Sequence, residues 1–216
     1  MNTRQSITHL VLVLFFFFLD ASKEGDPGVD ERHIILYQEM NRFISIHLPD
    51  GYSGSEPLLL LIAFHGAGAL TFKKHQDWIG IGKHGFIVAY PSASGSNWAE
   101  GCNCIRPDLD GIDDVGFADQ VIDLMDEEYE IDRSRVYAAG YSQGGFFIHR
   151  LACERSSQFS GFATVGSLIS EPMAQAAANL QGARVRLHEI QDGPHEWPRG
   201  SIDSPSILTE FFRLDQ

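Results

Sequence analysis

Residues 136–145 read Val-Tyr-Ala-Ala-Gly-Tyr-Ser-Gln-Gly-Gly. An apolar run breaks at Gly140-Tyr141-Ser142-Gln143-Gly144 and resumes as a helix-like stretch over 146–154. This is the G-x-S-x-G nucleophile elbow in its required setting, strand, then tight turn, then helix. The turn must hold a serine hydroxyl out into the open, and side chains at the flanking glycines would strike neighbouring backbone. The helix starts at the serine, so its free amides and positive end face any charge developing on a substrate oxygen. A glycine-rich turn with a chance serine gives the same five letters, and the chain has 21 glycines. The strand before and the helix after favour Ser142 as a nucleophile.

Two hundred and sixteen residues suit one domain with a sizeable core, and 44% apolar with 21% charged residues is ordinary for a globular chain. The net charge of -13 comes with no basic cluster, which speaks against nucleic acid as a partner. Near the N-terminus Arg4 precedes an apolar run over 10–19, which Asp20-Ala21-Ser22-Lys23 ends sharply. The run is too short to span a bilayer and suits a signal peptide over 1–21; a buried strand or an uncleaved anchor is the alternative. The expected organisation is then a flexible mature N-terminus over 22–31 and a single domain over 32–216. The mature chain is expected to be secreted and extracellular, with no membrane span. Of the three cysteines, Cys102 and Cys104 stand too close for an easy mutual bridge, and Cys153 falls in a helix where it can simply pack. The pairing stays open. No zinc-type spacing of Cys or His occurs, so no metal is expected.

Apolar runs alternate with amphipathic stretches. Residues 43–48 alternate with period two, as an edge strand does, whereas 58–64 and 86–90 are continuous runs suited to strands buried on both faces. The spacing of Ala118, Val121, Ile122, Met125 and Tyr129 predicts a helix over 113–130 that Asp113 or Asp114 can cap. Later strands are expected at 136–139, 162–165 and 185–190, with helices at 173–180 and 207–214. The alternation means an α/β fold with a mainly parallel sheet, the segments 58–64, 86–90 and 136–139 lying adjacent at its centre.

Phe64-His65-Gly66-Ala67-Gly68 directly follows the most apolar strand. Glycines there let a backbone approach a substrate, so the amides of Ala67 and Gln143 are the expected oxyanion donors. Ser142 needs a base, and His195, in the loop Gln191-Asp192-Gly193-Pro194-His195-Glu196-Trp197-Pro198, follows the last predicted strand. Trp98 and Trp197 fall in loops near this site and suit an acyl-binding wall or simple rim packing equally well.

At these residues the chain resembles the secreted esterases grouped as polyhydroxybutyrate depolymerase-like and feruloyl or acetylxylan esterase-like, of the α/β-hydrolase fold. The matching blocks begin with Leu48-Pro-Asp-Gly-Tyr52, Phe64-His-Gly-Ala-Gly68, Gly85-Phe-Ile-Val-Ala-Tyr-Pro91, Asn97-Trp98 and Asp113-Asp-Val-Gly-Phe117. They continue with Ile131-Asp-Arg-Ser-Arg-Val-Tyr137, Gly140-Tyr-Ser-Gln-Gly-Gly145, Leu151-Ala-Cys-Glu154 and His195-Glu-Trp-Pro198. The resemblance implies a parallel sheet with helices on both faces and hydrolysis of carboxylic esters by a serine triad without a cofactor. Its substrates would be small esters, polyesters or acylated polysaccharides. It carries the nucleophile onto Ser142 and the base onto His195. The family's acid stands in a block like H-G-x-x-D before the final strand, and this chain lacks that strand-helix unit. Glu171, at the end of the strand after the elbow, is the favoured substitute over Asp192 and Asp203. A segment lost from the chain explains the gap equally well. The alternative function is therefore a catalytically inactive or truncated hydrolase-like protein acting as a binding module, and a peptidase or thioesterase on the same fold also stays open.

Overall fold

The computed structural model describes residues 30–68, 79–167 and 204–213. The described residues form a six-stranded sheet in the order β1-β2-β4-β3-β5-β6. Its strands are β1 (Asp30–Tyr37), β2 (Met40–His47), β3 (Leu58–Phe64), β4 (Phe86–Pro91), β5 (Ile131–Tyr141) and β6 (Gly161–Val165). β1, β2 and β4 pair antiparallel, and β4, β3, β5 and β6 pair parallel. The described helices are α1 (Ile79–Gly82), α2 (Arg106–Leu109), α3 (Asp114–Glu128), α4 (Gln143–Arg155) and α5 (Ser204–Arg213).

The central strands explain themselves. Along β3, Leu60, Ile62 and Phe64 enter one apolar cluster with residues of α3 and α4, while Leu59, Leu61 and Ala63 enter a second with Ile81 of α1 and Leu208 and Phe212 of α5. A strand buried on both faces has no polar side to alternate, hence the unbroken run in the sequence. The three segments expected at the centre are β4, β3 and β5, adjacent and parallel as the sequence implied. Helix α3 buries Val115, Ala118, Val121, Ile122 and Met125, as its spacing required.

Several expectations change. β2 is not an edge strand, because β1 pairs along its whole length. Its alternation arises because Ile44 and Ile46 enter the first cluster while Ser45 and His47 point to the other face, where Phe43 is 55% exposed. β1 begins at Asp30, so Asp30 and Glu31 belong to the sheet rather than to a flexible N-terminus. β4 runs one residue further than 86–90, ending at Pro91, and α5 starts at Ser204 rather than 207, with Pro205 in its first turn, where its missing amide costs nothing. Cys102 and Cys104 are bridged, although only two positions apart, because Asn103 takes a left-handed φ of 54° and folds the chain back to a Cα–Cα distance of 5.1 Å. Cys153 remains a free, half-buried thiol in α4. The strand expected at 185–190 and the helix at 173–180 lie outside the described residues.

The Asp113-Asp114 pair divides two tasks. Asp113 caps α3 by accepting from the Gly116 amide (2.9 Å), and it also accepts from the Tyr37 hydroxyl (2.6 Å). Burial alone would push the Asp113 carboxyl up, but these two bonds, together with the charges of Arg150 and Arg155, hold the group below the usual carboxylate range. Asp114 is fully buried and pairs with the equally buried Arg42 at 2.6 Å, while accepting from the Ala99 amide at 2.7 Å. Arg42 also lies over the Phe117 ring, 3.8 Å from its centroid, and donates to the Ser92 carbonyl at 3.0 Å. This one ion pair therefore ties β2 to α3 and to both ends of the 92–99 loop. Removing one member leaves an uncompensated buried charge, so Asp114→Ala should lower unfolding stability by about 3–5 kcal/mol in denaturant titration. A loss under about 1 kcal/mol would mean that the pair does not anchor the loop.

Candidate active site

β5 ends at Tyr141 and α4 begins at Gln143, with Ser142 between them at φ 52° and ψ -117°. A non-glycine residue at positive φ is held there only when its surroundings over-determine it. Here they do. The Ser142 amide donates to the Val165 carbonyl at the end of β6 (2.8 Å), and the Ser142 carbonyl accepts from Gly145 (2.9 Å). A Cβ on Gly140 would strike the backbone of Gly144, and one on Gly144 would strike the carbonyl oxygens of Phe64 and His65. The glycines are thus a packing requirement: α4 starts in direct contact with the end of β3.

That contact brings the His65–Gly68 loop beside the serine. A Cβ built on Gly66 would stand 3.2 Å from Ser142 Cβ. The loop is fixed from the other side as well. Gly68, at φ 70°, donates to the Ser96 carbonyl (2.9 Å). His65 Nε2 accepts from the Ala93 amide (3.1 Å), which leaves the proton on Nδ1 to donate to the Gly66 carbonyl (2.8 Å). His65 is thereby a neutral, buried strut and not a base. Ala67 is exposed and Ser142 half-buried at the open end of this arrangement.

Gln143 does more than the sequence suggested. Its side-chain oxygen accepts from the Trp98 amide (2.9 Å), and its side-chain nitrogen donates to the Trp98 carbonyl (2.7 Å) and to Glu100 (3.1 Å). The residue after the serine is therefore clamped by its side chain to both the amide and the carbonyl of Trp98. Trp98 is wholly buried, stacks on Phe147, and donates from Nε1 to the His65 carbonyl (3.0 Å). Of the two roles open to it, an acyl-binding wall is ruled out; it is a core residue that braces the site from beneath. Burial raises the Glu100 carboxyl, the Gln143 bond lowers it and the charge of Asp108 raises it, with a net upward shift.

Of the expected site residues, Ser142, Gln143 and Ala67 fall among the described residues, and the first two are consecutive at the elbow. His195, Glu171, Asp192, Asp203 and Trp197 lie outside them. His149 of α4 has a buried Nε2 with no hydrogen-bond partner among the described residues, and burial lowers its pKa, which keeps it neutral. The Trp98 clamp left a trace in sequence only as the Asn97-Trp98 block. The Arg42–Asp114 pair left none, since its members are far apart in the chain.

No protein-family model matches the chain. Among solved structures, an S-formylglutathione hydrolase from Agrobacterium tumefaciens is similar with a TM-score of 0.54 at 13% identity, covering 67% of this chain and 60% of that one. LpqC, a poly(3-hydroxybutyrate) depolymerase from Bordetella parapertussis, gives 0.51 at 18% identity over 62% of this chain and 50% of its own. The chain has the α/β-hydrolase fold, with the serine at the turn where that fold carries its elbow. Its curated relatives are esterases. Feruloyl esterase C of Emericella nidulans is 25% identical over 171 residues, 74% of this chain and 60% of the relative. The bifunctional acetylxylan esterase/xylanase XynS20E of Neocallimastix patriciarum is 29% identical over 129 residues, 58% of this chain and 18% of the relative. The chain thus spans less than two thirds of the length of these relatives.

The strain at Ser142 is measurable. Positions held at such angles cost on the order of 1–3 kcal/mol, and glycine relieves this while giving back roughly 0.5–1 kcal/mol of chain entropy. Ser142→Gly should therefore be more stable than Ser142→Ala by about 1 kcal/mol in chemical denaturation. Equal stability, or the reverse order, would show that the turn is relaxed.

Proposed function

We propose that this protein is a secreted serine esterase acting on carboxylic esters of the acylated-glycan or polyester type. One observation carries the reading: Ser142 is held at a strained turn between β5 and α4, beside a glycine-bearing loop whose backbone is pinned on both sides. The names of its curated relatives support ester substrates, and the apolar run over 10–19 supports export. No described helix is long and apolar enough to cross a membrane. The acidic net charge argues against nucleic acid as a partner.

In this mechanism Ser142 Oγ attacks the ester carbonyl carbon as His195 takes the hydroxyl proton. The carbonyl oxygen becomes an oxyanion facing the amides of Gln143 and Ala67. Collapse breaks the bond to the alcohol, which leaves with the proton from His195. Water, deprotonated in turn by His195, then releases the acid and restores Ser142. The side-chain clamp on Trp98 holds Gln143 as charge develops. A carboxylate on the far imidazole nitrogen would hold His195 in the right tautomer, and Glu171 is the proposed group. No cofactor enters any step.

The test is hydrolysis of a short-chain p-nitrophenyl ester. Ser142→Ala and His195→Ala should each abolish turnover while leaving the circular dichroism spectrum unchanged. In a serine triad, loss of the carboxylate costs about 10⁴ in kcat, with residual catalysis from the oxyanion donors. Wild-type turnover should therefore be feeble unless Glu171 serves, and in that case Glu171→Gln should collapse it while Asp192→Asn and Asp203→Asn should not. Collapse with one of the other two would move the acid there. A folded wild type with no turnover on any ester would favour the binding-module reading.

A further inference from the structure

The β1–β2 hairpin carries an apolar surface that neither core cluster uses. Among the described residues four large apolar side chains are strongly exposed, and three of them, Ile34 (60%), Leu36 (71%) and Phe43 (55%), share one face of this hairpin. Ile34 and Phe43 are direct cross-strand partners, while Ile35 and Tyr37 point the other way, against the first cluster. β1 is also the outer strand of the described sheet. It contains no proline, and its pairing with β2 has no bulge, two devices that blunt an edge.

The turn decides which backbone groups face outward. Gln38 and Glu39, at φ 47° and 60°, form a two-residue loop that closes on the Tyr37–Met40 pair. Such a turn bonds its closing pair, and bonded pairs then alternate, so Tyr37, Ile35 and His33 spend their backbone groups on β2. Phe43, opposite Ile34, agrees: its carbonyl accepts from the Ser92 amide, on the β4 side of β2, at 2.8 Å. The backbone groups of Ile34 and Leu36 therefore point away from β2, along the same edge that their side chains flank.

We propose that β1 pairs edge to edge, antiparallel, with β1 of a second copy of this chain, joining two sheets into one. The partner is a second copy because the strand is complementary to itself. With Ile35 on the twofold axis, Ile34 stands opposite Leu36 of the second copy and Leu36 opposite its Ile34, each in an outward-facing bonded pair. Arg32 then reaches the rim beside Gln38 and Glu39 of the second copy, the latter of opposite charge. Sliding the pairing by two residues one way sets Leu36 against the charged Arg32, and the other way carries Ile34 onto the turn. The three exposed side chains offer roughly 100 Å² each, so two copies bring about 600 Å², which the paired backbones raise towards the ~1,000 Å² of a specific interface. That size suits a reversible dimer and not an obligate one.

The test is sedimentation velocity on the full chain over a range of concentrations, and it needs no esterase activity. The wild type should pass reversibly from monomer to dimer as concentration rises. Each copy carries a net charge of -13, so added salt should screen the repulsion and strengthen the dimer. Ile34→Lys and Leu36→Lys, both at exposed positions, should each leave a monomer with an unchanged circular dichroism spectrum. Hydrogen exchange at the Ile34 and Leu36 amides should slow on dimerisation, which packing of the apolar faces without strand pairing would not bring about. A monomer at every concentration, a dimer that survives both lysine changes, a dimer that salt dissolves, or a dimer whose Ile34 and Leu36 amides exchange as in the monomer would each overturn the proposal.

Discussion

The first turn of α4 rests directly on the carbonyl groups that end β3, with no side chain between them, and the site follows from this contact. Gly144 faces the carbonyl oxygens of Phe64 and His65, so the helix cannot start elsewhere and Ser142 cannot relax out of its left-handed turn. The same contact sets the His65–Gly68 loop against the serine. Ser142 and the loop are thus placed by one approach of backbone to backbone, which the sheet register maintains: Gly140 of β5 stands opposite Phe64 of β3 on one side and Thr164 of β6 on the other.

A second layer secures that arrangement from below. Trp98 touches Phe64, His65 and Phe147, and both its peptide groups are held by Gln143. The loop carrying Trp98 is in turn held by Asp114 and by Arg150, which donates to the Ala99 carbonyl at 2.9 Å. The buried Arg42–Asp114 pair connects this loop to the antiparallel side of the sheet. A buried pair of this kind adds little net stability over an apolar substitute, but breaking it by removing one member is strongly destabilising. Rigid support of this kind is what oriented donors require if they are to meet a developing charge without moving.

The sequence disclosed those parts of the fold that rest on local patterns. Continuous apolar runs marked β3 and β4, helical spacing marked α3, and glycine flanks marked the elbow. What it did not disclose depends on partners distant in the chain. β1 carries exposed Ile34 and Leu36 and begins with charged residues, so neither alternation nor burial distinguishes it until β2 is laid alongside. The Cys102–Cys104 bridge needed the left-handed Asn103, and the Gln143 clamp needed Trp98 to be buried. The strained turn at Ser142 was legible because its motif constrains the backbone, and its role as a nucleophile is the proposal. His195 and Glu171 were chosen by chain order and strand ends, and they lie outside the described residues.

The central claim is that the strained serine is a nucleophile and not merely a tight turn. Its most direct test is labelling of the purified chain with a fluorophosphonate, followed by peptide mapping. The account predicts one adduct per chain, located on Ser142 in the peptide that contains Gly140-Tyr141-Ser142-Gln143-Gly144 and lost on heat denaturation before labelling. An adduct on another serine, or none on a chain whose folding is verified, would contradict it.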